Sequence, residues 1–212
     1  MKKMFVLSLA AIFLALLIPG LGLALDPPSP NILGLYEFSD GTGATGTSDI
    51  GSPVTVYLVL KNPVDEQNGD APYPSINSFE CQLNFNPPGN LFKLAEIIPC
   101  DGCCMNVGDS SDISQGFLEY IIGFNVDYFV TDESIVLIEF VFMHTAAGNI
   151  EVTLGSTSKP SIPGEMVFQS VVGELRVMHS ASGPHGGPVY LFSDGPDPVV
   201  SSTFGSVKAL YR

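Results

Sequence analysis

Three of the four cysteines lie within five residues of one another, in the segment CDGCC that begins at Cys100. The fourth, Cys81, lies nineteen positions upstream in the segment SFECQLNF. Two cysteines separated by two residues form half of many zinc sites, and at the start of a helix the same spacing supports thiol–disulfide exchange. In an oxidising compartment, four cysteines most often form two structural disulfides. The chemistry of this cluster therefore depends on where the protein resides.

The first 24 residues have the features of a secretory signal peptide. Lys2 and Lys3 precede an apolar run over residues 4–18, Pro19 interrupts that run, and the segment GLA ending at Ala24 offers small residues to a signal peptidase. A membrane anchor would need about 20 apolar residues without that interruption. We expect cleavage after Ala24 and secretion of a soluble protein to the periplasm, the cell surface or the medium, with no stable membrane insertion.

Export favours disulfides over a metal site or free, redox-active thiols. A bond between the neighbours Cys103 and Cys104 would close a strained ring, so Cys81 is expected to pair with one of these two residues and Cys100 with the other. We favour Cys81–Cys104 with Cys100–Cys103. Closing a loop of twenty-odd residues in this way stabilises a fold by about 3 kcal/mol.

Other patterns give little support for catalysis. The segment GTGATG at residues 41–46 fits a dinucleotide-binding spacing, but the residues after it do not form the helix that such a site requires. The three histidines, His144, His179 and His185, belong to no catalytic motif. We expect the protein not to be an enzyme unless His144, His179 and a serine or aspartate converge in one pocket.

Several loops are rich in aspartate, whose oxygens are ligands for calcium. The candidates are Asp109 and Asp112 in GDSSDIS, and Asp40 and Asp49 in the loop that contains GTGATG. Because none of these loops has the spacing of a helix–loop–helix calcium site, we interpret them as solvated turns, with a calcium site as the alternative. We expect no other metal and no cofactor.

The chain is strongly acidic. Without Lys2 and Lys3, six basic side chains remain against 22 acidic ones, a net charge of about −16. Such a charge repels phosphate backbones and excludes nucleic acid as a partner. It keeps an exported protein soluble and also attracts cations or a basic partner.

Short apolar or alternating segments recur every 10–20 residues, separated by Gly, Pro, Asn and Asp. In PVTVYLVLKN the residues Val54, Val56, Leu58 and Leu60 share one face, and in INSFECQLNF the residues from Phe79 to Phe85 alternate in the same way. About nine such strands without intervening helices predict an all-β protein, an antiparallel β-sandwich. We place this domain at residues 25–193, between the signal peptide (1–24) and a C-terminal tail (194–212).

The order of these segments resembles that of cohesins and the jelly-roll carriers of carbohydrate-binding modules. The segments concerned are SPVTVYLVLKNP, INSFECQLNFNPPGNLFKLAEI, ESIVLIEFVFMHTAAGNIEVTL and GELRVMH, between about residues 31 and 179. The resemblance implies a cohesin-like sandwich. It lies in the pattern rather than in an identifying motif, so no partner-binding face follows from it.

The ending STFGSVKALYR is similar to the tails of uncharacterised secreted proteins of environmental bacteria that carry sandwich domains. Ser201, Ser202 or Thr203 would cap a short helix with apolar residues at helical spacing. This helix either packs on the sandwich or docks to an acidic partner, and a copy of this protein is one such partner. The partner-binding candidates are Phe204, Val207, Lys208, Leu210, Tyr211 and Arg212.

Together these features predict a secreted, non-enzymatic binding module of the bacterial envelope or extracellular space that recognises a protein. The alternatives are a self-assembling surface subunit and a carbohydrate-binding module. The chain has no tryptophan, although six tyrosines are available for stacking on sugars: Tyr36, Tyr57, Tyr73, Tyr120, Tyr128 and Tyr190.

Overall fold

The computed structural model describes residues 30–47, 49–99, 104–108, 113–131, 133–183 and 186–194. These residues form fourteen strands and two 3-10 turns, the turns at Glu66–Asn68 and Ile113–Gln115. The strands are β1 (Ile32–Tyr36), β2 (Thr45–Thr47), β3 (Pro53–Lys61), β4 (Val64–Asp65), β5 (Ala71–Pro72), β6 (Ser75–Asn86), β7 (Leu91–Ile97), β8 (Cys104–Asn106), β9 (Phe117–Phe129), β10 (Ser134–His144), β11 (Ile150–Gly155), β12 (Met166–Ser170), β13 (Leu175–Ser180) and β14 (Tyr190–Ser193).

The predicted all-β class is confirmed, and every segment that the apolar pattern marks as a strand forms one. The number of strands, about nine, was too low. The additional strands β2, β4, β5 and β8 are two or three residues long and lie in segments interpreted as loops. Segments this short carry no readable alternation, because their pairing depends on neighbouring strands. The signal peptide and the predicted C-terminal helix lie outside the described residues.

Ten strands follow one hydrogen-bonded path, β2-β14-β11-β6-β12-β13-β1-β3-β10-β7, and β9 and then β8 are added beside β6 to make a sheet of twelve described strands. Strands β4 and β5 form a separate hairpin. Strand β13 joins the two layers, since it pairs antiparallel with β12 and parallel with β1. The pair β14–β2 is also parallel, and the other pairs are antiparallel, as predicted.

The core lies between the layer β1-β3-β10-β7 and the layer that contains β6, β9, β11 and β14. Aromatic rings from the two layers contact one another across the core. The ring centroids of Tyr120 and Phe140 are 5.8 Å apart, and that of Phe142 lies 5.8 Å from that of Phe85 and 5.5 Å from that of Phe192. In β6 the predicted inward residues, from Phe79 to Phe85 in steps of two, are all buried. Such ring pairs stabilise a core by about 0.5–1.5 kcal/mol each beyond the area they bury.

The sandwich has two distinct ends, which we call the Ser75 end and the Asn86 end after the limits of β6. At the Ser75 end, Phe129 pairs with Ser75, and the Val130 amide donates to the Pro74 carbonyl. At the Asn86 end, Glu151 pairs with Asn86. A twelve-residue strand such as β6 spans about 36 Å, so the two ends are far apart. Among the described residues, no helix is long and apolar enough to cross a membrane.

Candidate binding surfaces

The histidines that a catalytic site would require lie at opposite ends of β10. His144 is the last residue of β10 and is buried. His179 in β13 pairs with Ile32 of β1. Ile32 pairs in turn with Lys61 of β3, and Lys61 pairs with Ser134, the first residue of β10, so His179 lies level with the start of β10. Ten residue steps of a strand separate these positions by about 33 Å. The two side chains therefore do not converge, and His185 lies outside the described residues.

The described residues contain no group of three or more His, Cys, Asp and Glu side chains placed to hold a metal ion. The Asp40 carboxylate instead accepts hydrogen bonds from the amide and hydroxyl of Thr42, which closes a local turn. The Asp49 carbonyl accepts from the Ser52 amide in another turn. Asp109 and Asp112 lie outside the described residues, so calcium binding there stays a prediction.

Cys81 and Cys104 are both free thiols in the structure. Cys81 lies opposite Tyr120 and Cys104 lies opposite Phe124, on the two sides of β9. Two strand spacings and four residue steps separate their Cα atoms by about 16 Å, whereas a disulfide needs less than about 7 Å. The structure therefore does not contain the favoured Cys81–Cys104 bond. Cys100 and Cys103 lie outside the described residues, and the disulfide between these two stays a prediction.

Cys81 is also unsuited to redox chemistry. Its side chain is fully buried in the core. Burial, and to a smaller degree the charge of Glu80, raises the pKa of the thiol well above its usual range. The thiolate is the reactive species, and the raised pKa keeps Cys81 protonated and unreactive. Cys81 therefore serves as a small apolar residue of the core.

The outward face of β6 and β9 is covered by residues 156–165, which connect β11 to β12. Glu80 and Glu119 point outward, as the alternation of β6 predicts for Glu80, yet they are only 4% and 3% exposed. The amide and hydroxyl of Ser161 donate to Glu80 at 2.6 and 3.0 Å. Those of Ser158 donate to Glu119 at 2.7 and 3.1 Å. We call residues 156–165 the covering segment; it buries Glu80 and Glu119, whereas β9 stays exposed farther toward the Ser75 end, at Phe129 for example.

In the part of the chain that the structure describes, the outward surface around β7 exposes apolar side chains. Phe92, Leu94 and Ile97 are 55%, 45% and 49% exposed. In the next strand, Met143 pairs with Phe92 and Val141 pairs with Ala95, and both are half-buried. We call Phe92, Leu94, Ile97, Val141 and Met143 the β7 surface. No strand of the described residues pairs with the other side of β7.

A β-bulge in β7 produces this surface. Lys93 pairs with Phe142 and Ala95 with Val141, so Leu94 is an extra residue without a partner in β10. Lys93 and Glu96 consequently lie on the core side of the strand, opposite Phe142 and Phe140. They form an ion pair at the rim of the core. Phe92 and Ile97 are left on the solvent side.

Exposed aromatic side chains do not form a row. Tyr36, Tyr73, Tyr120 and Tyr190 are buried, so most of the described tyrosines cannot stack on a sugar. The exposed rings belong to Phe38, Phe92 and Phe129. Phe92 lies near the Asn86 end and Phe129 at the Ser75 end.

A cavity of about 380 Å³ opens at the Ser75 end, between the loops that join β3 to β4, β5 to β6 and β9 to β10. Its apolar wall includes Pro72, Tyr73 and Val130, and its lining also includes the exposed carboxylates Asp70 and Glu133. We call it the end cavity. The pattern of the sequence does not reveal this cavity, because its lining residues come from distant parts of the chain.

A buried ion pair anchors the hairpin β4–β5 beside the end cavity. Arg176 Nη2 donates to Asp65 at 2.8 Å and to Glu174 at 2.6 Å. The Tyr73 hydroxyl also donates to Glu174, at 3.2 Å, and the guanidinium lies 5.9 Å from the Tyr73 ring. The hydrogen bond from Asn68 lowers the pKa of Asp65, aided by those from Arg176 and the Gln67 amide.

The predicted partner-binding residues Phe204, Val207, Lys208, Leu210, Tyr211 and Arg212 lie outside the described residues, so their role stays a prediction. The last described residue is Asp194, at the Asn86 end, where its carboxylate accepts from the Gly148 amide at 2.9 Å.

No protein-family model and no curated protein matches the chain. In structure the chain is similar to cohesin modules. A non-cellulosomal cohesin from the archaeon Archaeoglobus fulgidus shares 12% identity, covering 71% of this chain and 84% of that one, with a TM-score of 0.43. A cohesin from Clostridium acetobutylicum shares 10% identity over 78% of this chain and 90% of its own, with a TM-score of 0.47. A type II cohesin from Acetivibrio cellulolyticus, in complex with an X-dockerin, shares 9% identity over 72% and 93%, with a TM-score of 0.43. Cohesins are the group that the strand segments of the sequence resemble.

Proposed function

We propose that this protein is an exported, non-enzymatic binding module that recognises a protein partner through the β7 surface. The observation that carries the proposal is the exposure of Phe92, Leu94 and Ile97 beside the half-buried Val141 and Met143. A cluster of exposed apolar side chains on an otherwise acidic, soluble protein is typical of an interaction site. On the opposite layer, the covering segment buries the outward side chains Glu80 and Glu119, whereas the outward side chains of β7 stay exposed.

The partner contacts the face of β7 rather than extending the sheet. A strand added to the edge of β7 would need a regular row of backbone donors and acceptors, and the bulge at Leu94 interrupts that row. On the core side of β7, Lys93 and Glu96 form an ion pair, so that side of the edge strand offers no apolar side chains to an added strand. The apolar side chains project to the solvent face, so a partner with an apolar patch of its own fits best.

A protein partner is favoured over a glycan. Flat glycan sites use rows of exposed rings, whereas two of the exposed rings of the described residues, Phe92 and Phe129, lie near opposite ends of the sandwich. A protein partner needs only a compact apolar centre with a polar rim.

The test compares Phe92→Ser/Ile97→Ser with a matched control. The control, Val126→Ser/Val172→Ser, removes two aliphatic side chains that are equally exposed elsewhere. Partners are captured from the envelope and medium of the source organism, identified by mass spectrometry, purified and titrated by calorimetry. We expect the β7 variant to bind the partner at least 30-fold more weakly, since buried apolar anchors contribute about 2 kcal/mol or more. Equal affinity in both variants would exclude the β7 surface.

Export is the second part of the proposal, and the positively charged, apolar N-terminus supports it. We expect the intact mass of the protein, isolated from periplasm or medium, to correspond to a chain that starts at Leu25. Recovery from the cytoplasm of a chain that retains its first 24 residues would contradict export.

A further inference from the structure

The end cavity combines an apolar wall with a negative rim. Pro72, Tyr73 and Val130 provide the wall, and Asp70 and Glu133 provide the charge. Arg176, whose guanidinium lies 5.9 Å from the centroid of the Tyr73 ring, is already paired with Asp65 and Glu174. The cavity therefore suits a segment that carries a basic side chain next to apolar or aromatic ones.

The walls of the cavity are held in place before any partner binds. The Asn62 amide donates to the Glu133 carbonyl at 2.7 Å, and the Tyr73 amide donates to the Pro63 carbonyl at 2.8 Å. The backbone of Asn62, Asp70 and Glu133 has positive φ values of 48°, 58° and 64°. A cavity bounded by loops that are tied together loses little conformational entropy on binding.

The chain itself contains a segment with the complementary chemistry. Residues 201–212, STFGSVKALYR with its preceding serine, carry Lys208 and Arg212 and no acidic side chain. Phe204, Leu210 and Tyr211 supply apolar and aromatic groups beside these charges. Of the other basic residues of the mature chain, Lys93 and Arg176 already form ion pairs with carboxylates of the sandwich.

We propose that the end cavity binds the C-terminal segment 201–212 of a second copy of this chain, with Lys208 or Arg212 at Asp70 and Glu133 and the neighbouring aromatic side chain against Tyr73 and Pro72. The protein then self-associates through two different surfaces, a basic segment of one copy and the acidic cavity of another. This inference goes beyond the proposed function and does not involve the β7 surface.

The positions of the two surfaces favour a second copy over the same chain. The described fold ends with Asp194 at the Asn86 end, whereas the cavity lies at the Ser75 end, about 36 Å away along β6. The fourteen residues from Asp194 to Lys208 reach at most about 50 Å when fully extended, and the eighteen residues to Arg212 reach about 65 Å. To reach its own cavity the segment would have to run largely extended along the sandwich, whereas the cavity of a neighbour imposes no such constraint.

The test measures self-association of the mature chain by sedimentation equilibrium over a wide concentration range at low and high salt. The cavity variant is Asp70→Asn/Glu133→Gln, in which asparagine tolerates the positive φ of residue 70. The segment variant is Lys208→Gln/Arg212→Gln. The matched control, Glu151→Gln/Glu165→Gln, removes two exposed charges elsewhere. Thermal unfolding of each variant verifies the fold.

We expect the wild type to associate, and 1 M salt to weaken the association. The cavity and segment variants should each associate at least ten-fold more weakly, and the combined variant no more weakly than either, because both changes remove one contact. The control should stay within two-fold of the wild type. A wild type that remains monomeric at every concentration, or cavity and segment variants that associate like the control, would overturn the proposal.

A labelled peptide of residues 201–212 identifies the occupant. We expect it to bind the mature chain, to compete with self-association and to lose affinity for the cavity variant. If instead it binds only a chain that ends at residue 200, while the mature chain is monomeric, the cavity holds the segment of its own chain and the second-copy proposal is wrong. The β7 variant Phe92→Ser/Ile97→Ser should self-associate like the wild type, so this proposal and the proposed function can fail separately.

Discussion

The Tyr120 hydroxyl, in β9 of one layer, donates a 2.7 Å hydrogen bond to Glu96 Oε2, in the edge strand β7 of the other layer. The same oxygen accepts from Lys93. Burial of Tyr120, and next the charge of Glu96, raises the pKa of the phenol far above its usual range, so the hydroxyl remains a donor at any physiological pH. This contact fixes the core side of β7, whose opposite side carries the β7 surface.

Removing this hydroxyl should weaken the attachment of β7. We expect Tyr120→Phe to lower the free energy of unfolding by about 1–2 kcal/mol, because the bond is made to a charged acceptor that Lys93 still partly compensates. Urea denaturation followed by circular dichroism measures the change. Tyr57→Phe, on the outward side of β3, is the control and should stay within about 0.5 kcal/mol of the wild type. Equal stability of the two variants would show that the Tyr120–Glu96 bond contributes little.

The two described cysteines should differ in reactivity. We expect iodoacetamide to modify Cys104, which is half-buried, in the native protein without reductant, and to modify Cys81 only after unfolding. Burial keeps the Cys81 thiol protonated, and the alkylating reaction needs the thiolate. Peptide mapping by mass spectrometry measures both sites. If both cysteines resist alkylation in denaturant until a reductant is added, they belong to disulfides formed with Cys100 and Cys103.

Asp65 should make stability depend on acid pH. Its pKa is lowered in the folded state, so its contribution is complete above its unfolded pKa of about 3.9 and is lost as the pH falls through the lower folded value. We expect Asp65→Asn to lower the urea midpoint at pH 7, and the difference from the wild type to shrink as the pH falls below about 3.9. Asp127→Asn, at an exposed position, serves as the control. A difference that stays constant between pH 7 and pH 2 would contradict a role for the charge.

The covering segment should depend on Glu80. We expect Glu80→Ala to increase hydrogen exchange at the Ser161 amide, which loses its 2.6 Å acceptor, while exchange in β6 itself changes little. The control is Glu151→Ala, which removes an exposed carboxylate of β11. Exchange at Ser161 that does not differ between the two variants would mean that other contacts hold the segment.

Alternation of side chains was sufficient to predict much of the fold. The inward residues of β6, from Phe79 to Phe85, are buried because successive side chains of a strand point to opposite faces, a consequence of local backbone geometry. The same reasoning placed Glu80 on the outward side but could not show that it is buried. Its burial depends on the covering segment, whose Ser161 lies 81 residues away along the chain.

The candidate surfaces were less accessible to sequence analysis. In LFKLAEI a regular strand would place Lys93 and Ala95 on one side and Leu94 and Glu96 on the other. The bulge at Leu94 instead places Lys93 and Glu96 together on the core side. A bulge arises from the register between two strands, so the pattern of one strand does not reveal it.

The sequence by itself determined the all-β class and the residues that form the core, because these depend on the local backbone geometry of strands. It also determined the acidic character of the molecule and the presence of a basic, aromatic C-terminal segment, because these depend on composition. The tertiary structure alone decided that β9 separates Cys81 from Cys104, that a covering segment hides one face, and that Tyr73, Asp70, Val130 and Glu133 enclose one cavity. These features depend on contacts between residues far apart in the chain, and the free energy of such contacts is set by packing and register rather than by the identity of neighbouring residues.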